Sequence, residues 1–98
     1  MDNYILTNKA VEDLSTIWDY PFEVWPEKQT DKYYFMLIDY CADLANNSVT
    51  GKHYPEISND ILGFRAGQHL IFYRKLKNMI EVARILHCRM DLKNRLQE

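Results

Sequence analysis

Two apolar runs in the last third of the chain limit its fold more than any other feature. Residues 64–74 read FRAGQHLIFYR, and residues 82–91 read VARILHCRMD. In an extended chain successive side chains point to opposite sides. His69, Ile71 and Tyr73 therefore fall on one side of the first run, and Leu70, Phe72 and Arg74 on the other. The second run alternates Ile80, Val82, Arg84 and Leu86 against Glu81, Ala83, Ile85 and His87. Lys77 and Asn78 supply a hairpin turn between them. The pair reads as a β-hairpin carrying four arginines (Arg65, Arg74, Arg84, Arg89) and two histidines among its apolar residues.

The preceding sequence is helical in character. Tyr4, Ile5, Leu6 and Thr7 form a short strand, and Thr7 or Asn8 is placed to cap a helix whose stripe is Val11, Leu14, Ile17 and Trp18. Pro21 bends or ends that helix, and Pro26 suits the first position of the next. Tyr33, Leu37, Tyr40, Cys41 and Leu44 define the face of this second helix, widened by Tyr34, Ile38 and Ala45. Asn46, Asn47 and Ser48 end it. A polar loop runs on to about Asp60, a strand lies near 62–66, and residues 90–96 form a short terminal helix. The order β-α-α-β-β-β is an α+β fold: an N-terminal strand, a two-helix hairpin packed on a small antiparallel sheet, and a short C-terminal helix.

At 98 residues, 47% of them hydrophobic, the chain is expected to form one domain over residues 1–98. No run approaches the roughly 20 apolar residues that span a bilayer, and no secretory leader is visible. Cys41 and Cys88 make neither a disulfide framework nor a metal knuckle, so a cytoplasmic location without metal or cofactor is expected. The net charge of −2 hides a division. Residues 1–60 hold four lysines against eleven carboxylates, a net of −7; residues 61–98 hold eight cations against three carboxylates, a net of +5. A basic half of this kind attracts an anionic partner, whether nucleic acid or an acidic protein segment.

Arg84 is the most telling cation. An arginine among Ile80, Val82 and Leu86 needs either an open concave surface or an internal partner, such as Asp91 or an acid of the N-terminal half. His69 and His87 lie near the strand ends and meet if the hairpin is antiparallel, as structural histidines or as a general acid and base. His53 reads as solvated, as do Lys75 and Lys77 at the turn. Arg65, Arg74 and Arg89 offer bidentate geometry for phosphate or carboxylate. Asp13, Asp19, Glu23 and Glu27 read as an exposed acidic helix face rather than paired catalytic carboxylates. No Ser/His/Asp set, glycine-rich phosphate loop or nucleotide motif is present in the sequence.

The patterns F-R-x-G-x-H-x-I-F-Y-R and V-x-R-(I/V)-L-H-x-R-M-D resemble the ParE branch of the ParE/RelE toxin superfamily of bacterial type II toxin–antitoxin systems. The resemblance extends over nearly the whole chain and implies the same α+β fold. ParE-like members inhibit DNA gyrase by trapping its cleaved-DNA complex; RelE-like members are ribosome-dependent mRNA endonucleases. Against the nuclease pattern the match is partial. His69 falls where those enzymes often have an arginine, Arg89 falls at a second basic position, and no tyrosine follows Tyr73 where one is common in the tail. The resemblance therefore implies a growth-arresting gyrase inhibitor connected with plasmid maintenance, with RelE-type mRNA cleavage through His69, His87 and Arg89 as the alternative. A third possibility is a member that still binds its antitoxin but poisons nothing.

Target contacts are expected from Arg65, Arg74, Arg84, Arg89 and Arg95. The family also implies a ParD-like antitoxin in a hetero-oligomer, docked on the helix–sheet groove at Trp18, Tyr33, Arg74 and Arg84. It implies no membrane association and no sequence-specific DNA binding by this chain alone. Charge reversal at Arg84 or Arg89 is expected to weaken toxicity more than folding.

Overall fold

The computed structural model describes residues 3–18 and 27–87. In chain order these form β1 (Asn3–Leu6), α1 (Asn8–Trp18), α2 (Glu27–Ala45), β2 (Lys52–His53), β3 (Leu62–Ala66), β4 (His69–Lys75) and β5 (Met79–His87). The terminal helix expected over 90–96, and Pro21 and Pro26, lie outside the described residues.

Thr7 joins strand to helix. Its hydroxyl oxygen accepts the Ala10 N–H at 3.1 Å, capping α1, while the hydroxyl proton goes to the Ala83 carbonyl at 2.8 Å. One side chain thus fixes the start of α1 against β5. At the far end of α2, Asn47 takes a positive φ of 64° and the Ser48 N–H closes on the Asp43 carbonyl at 2.9 Å. Asparagine tolerates this left-handed conformation better than most residues, and it stops the helix there.

The five strands form one sheet in the order β1-β5-β4-β3-β2. Pairing is antiparallel from β5 to β2, and β1 adds in parallel alongside β5, Asn3 to Leu6 matching Met79 to Val82. The hairpin turn falls at Lys77 and Asn78, with the Leu76 N–H donating to the Met79 carbonyl at 2.8 Å.

Both helices lie on one face of the sheet. Ala10, Leu14 and Ile17 of α1 and Leu37, Cys41 and Leu44 of α2 pack with Leu62, Ala66, Ile71, Tyr73, Ile80, Val82 and Ile85. Ala10 occupies the stripe position assigned from sequence to Val11, which is 48% exposed. The opposite face carries a second apolar layer. Leu70, Phe72 and Leu86 lie beneath Ile61, Ile57 and Tyr54 of the β2–β3 connection. That segment was expected to be a polar loop, yet its turn, closed by Ile57 and Ser58 N–H bonds to the Tyr54 carbonyl, covers the sheet. β4 is consequently buried on both sides from His69 through Tyr73.

A β-bulge corrects the expected alternation of β5. Phe72 pairs with Arg84 but Tyr73 pairs with Val82, so Ala83 is the extra residue. Ile80 and Val82 face the helices, Leu86 faces the second layer, and Ile85 takes the helix side after the bulge. Arg84 therefore does not share a face with all three of its expected neighbours.

Candidate functional site

β1 accompanies β5 only as far as Val82, and beyond that point α1 covers the outer edge of β5. Arg84 Nε and Nη2 donate to the two carboxylate oxygens of Asp13 at 2.8 and 3.1 Å. The Ile85 N–H donates to the same carboxylate at 3.0 Å. Both ion-pair side chains are nearly enclosed, at 12% and 13% exposure. Asp13 is thus not part of an exposed acidic face, and the internal-partner reading of Arg84 is the one the geometry bears out. The signal was present: Asp13 stands three residues after Ala10 and four before Ile17, on the buried stripe of α1. Reversing the charge of Arg84 would also break this enclosed ion pair, so a melting-temperature measurement beside the toxicity assay separates the two effects.

A few residues further toward the open end of the hairpin, α2 reaches over the β3–β4 turn. The Tyr33 hydroxyl oxygen accepts the Gln68 N–H at 2.8 Å, and it lies 2.6 Å from His69 Nδ1 and 3.3 Å from the Ala66 carbonyl oxygen. The ring fits because Gly67, with φ at 62°, bears no side chain; a Cβ there would stand 2.8 Å from the tyrosine ring. His69 and His87 are directly paired across the strands, ring centroids 5.2 Å apart. His69 is 1% exposed. Burial first, then the neighbouring His87, push its pKa down to about 4, against a smaller upward pull from Asp13.

Arg74 binds the carboxylates of its own chain, with Nε to Asp60 at 3.1 Å and a looser 3.6 Å approach of Nη1 to Glu81. Ser58 donates to Asp60 at 2.6 Å, and this bond, with Arg74, holds the Asp60 carboxyl below its usual range. The network ties the β2–β3 connection to the hairpin. Arg65 is exposed and its Nε donates to the Gly67 carbonyl at 3.1 Å; no carboxylate of the described residues pairs with it. Arg89, Arg95 and the Trp18 side chain lie outside the described residues.

The predicted cations therefore do not converge on one described surface. Arg84 locks α1 to β5, Arg74 braces a connection, and Arg65 faces outward. Burial also drives the Cys41 thiol up to about 12, leaving it a packing group. Among the described residues no three of His, Cys, Asp and Glu gather as a metal site, and no helix is long and apolar enough to cross a membrane.

Two helices on one face of a five-stranded mixed sheet, with a cation-bearing β4–β5 hairpin, make a fold with a solved counterpart. A chain of the chromosomal ParDE TA system from P. aeruginosa has it, with a TM-score of 0.73, 19% identity, and coverage of 89% of this chain and 96% of that one. The sequence carries the assignment further. The family described as "ParE toxin of type II toxin-antitoxin system, parDE" matches residues 4–92, and the chain belongs to it. Toxin ParE1 of Mycobacterium tuberculosis, in strains CDC 1551 / Oshkosh and ATCC 25618 / H37Rv, is 33% identical over 94 residues, 95% of this chain and 96% of the relative.

Proposed function

We propose that this toxin arrests growth by binding DNA gyrase and holding its cleaved-DNA complex, as a cytoplasmic inhibitor rather than an enzyme. A ParD-like antitoxin neutralises it in a hetero-oligomer. Plasmid maintenance follows from such a pair, and DNA recognition at an operator belongs to the antitoxin. Residues 1–98 act as one unit in this reading. Arg65, Arg89 and Arg95 meet the target; Trp18 and Tyr33 lie toward the antitoxin. Arg74, only part-exposed, is open to exchange of carboxylate partners with either protein, whereas Arg84 acts by holding α1 in place.

The observation that carries the inhibitor reading is the enclosure of His69. A general base in phosphodiester cleavage has to reach a 2′-hydroxyl and hold a proton near neutral pH. His69 is buried, engaged through Nδ1 with Tyr33, and uncharged until well below neutrality. The overall charge supports the same conclusion. A pI near 5.9 gives no general attraction to the phosphate-dense ribosome.

A supercoiling assay with purified gyrase, relaxed plasmid and ATP tests this directly. Loss of supercoiling together with accumulating linear DNA is the expected result. Folded, antitoxin-free protein that leaves gyrase untouched while cleaving mRNA on ribosomes would overturn the proposal in favour of the RelE-type alternative.

A further inference from the structure

Surface clefts lined by described residues differ in charge. One of about 560 Å³ runs along the outer side of α2 and is lined by Asp39 and Asp43 as well as Lys32. Another, of about 360 Å³, lies by the β4–β5 turn with Lys75 and Lys77, beside Ala45 and Asn47 at the C-terminal end of α2. The partial negative charge of that helix end opposes an incoming anion. The third, of about 530 Å³, contains Lys52 and Arg65 and, among the described residues, no carboxylate and no helix terminus.

This third cleft exists because β2 is only two residues long. It pairs with Leu62 and Gly63, so among the described residues no strand pairs with the outer edge of β3 over residues 64–66. Gly63 lets the Tyr54 ring lie close to the sheet, since a Cβ at that position would meet the ring at 2.5 Å. Phe64 and Leu70 complete an apolar interior. The Lys52 ammonium stands 5.4 Å from the Tyr54 ring centroid, and the Arg65 guanidinium donates through Nε to the Gly67 carbonyl, with no carboxylate partner among the described residues. Planar guanidinium donors beside an apolar slot match a carboxylate next to an apolar side chain. A phosphodiester backbone fits less well, because the chain's net negative charge disfavours a polyanion while leaving a single carboxylate well served.

We infer that the carboxylate-free cleft at the open edge of β3, with Arg65 and Lys52 at its rim and Tyr54, Phe64 and Leu70 as its walls, receives an acidic–apolar segment of the toxin's protein target. This rests on the inhibitor reading above and names the surface that carries it out.

The test pairs Lys52→Glu/Arg65→Glu with a control, Lys77→Glu, in the supercoiling assay, alongside thermal melts and antitoxin titrations. Both rim residues are exposed, so the melting temperature is expected to stay at its wild-type value. Half-inhibition of gyrase is expected to need at least roughly 10-fold more of the double variant, since like charges facing a carboxylate repel it. The control should match wild type, and antitoxin affinity should change less than about 2-fold. Undiminished inhibition by the double variant, with an active wild type, overturns the cleft's role alone. A wild type without effect on gyrase overturns the inhibitor reading and the cleft together. Tight binding of a single-stranded oligonucleotide that the double variant loses would reassign the cleft to nucleic acid and overturn the inference.

Discussion

An Asp13→Ala protein is expected to melt about 15 °C or more below wild type. The carboxylate of Asp13 accepts from Arg84 Nε, Arg84 Nη2 and the Ile85 N–H, so removing it takes three hydrogen bonds and the ion pair from the α1–β5 joint. Arginine does not escape by losing its proton, and little solvent reaches this pair. Removing one partner of an enclosed pair costs about 3–5 kcal/mol, and each kilocalorie lowers the midpoint of a domain this size by roughly 4–8 °C. Asp13→Asn is expected to fall less far, because its amide oxygen still accepts the Ile85 N–H. The Asp13→Leu/Arg84→Met pair should recover much of the loss, because it removes both charges of the pair together. A melting point for Asp13→Ala within about 5 °C of wild type would show that Arg84 is compensated in some other way.

That ion pair marks the limit of what the sequence discloses. Local signals located the elements well. Thr7 as a cap, the Leu37, Cys41 and Leu44 face, the strand at Leu62–Ala66 and the turn at Lys77 and Asn78 all appear where periodicity and turn chemistry put them. The adjacency of His69 and His87 follows from hairpin register alone. What escaped depends on contacts between distant segments. The parallel addition of β1 to β5 joins residues more than seventy positions apart, and no residue type announces it. The bulge at Ala83 is one unpaired residue in a strand of otherwise regular alternation, and it shifts which face Ile85 and Leu86 meet. The segment to about Asp60 read as a polar loop because the partners of its Tyr54 and Ile57, Leu70, Phe72 and Leu86, lie on the far face of a later hairpin.

The site was read less completely for the same reason. Arginine, unlike an apolar residue, does not reveal from spacing whether its partner is internal or foreign. Arg74 and Arg84 turned out to hold carboxylates of their own chain, while Arg65 points outward. The cationic motif that identifies the family thus divides into residues that build the hairpin and residues that present it. Tyr33, placed toward the antitoxin from sequence, also clamps the β3–β4 turn from 35 residues away in the chain, to Gln68.

Stability is expected to fall as the pH drops from about 6.5 to about 4, and His69 is the group responsible. The native state keeps its imidazole neutral across this window, whereas the unfolded chain takes up a proton below its ordinary pKa near 6.5. The unfolded state therefore binds more protons, so stability rises with pH across the interval and the contribution is fully present only above it. A displacement of this size corresponds to about 3 kcal/mol between the two ends of the window. The surroundings explain the direction. Tyr33 from α2 engages Nδ1 at 2.6 Å, the neighbouring His87 from β5 disfavours a positive charge on the ring, and Asp13 from α1 is already matched by Arg84. A proton on Nδ1 is able to turn toward the tyrosine oxygen, with the hydroxyl swinging to the Ala66 carbonyl 3.3 Å away, yet the charge remains buried. Denaturant unfolding of wild type and His69→Gln at pH 7 and pH 4.5 isolates this contribution, wild type losing about 2–3 kcal/mol more than the variant. An NMR titration of the His69 ring is expected to give a midpoint below 5, and a midpoint at 6 or above, or equal pH dependence in both proteins, would sink the assignment.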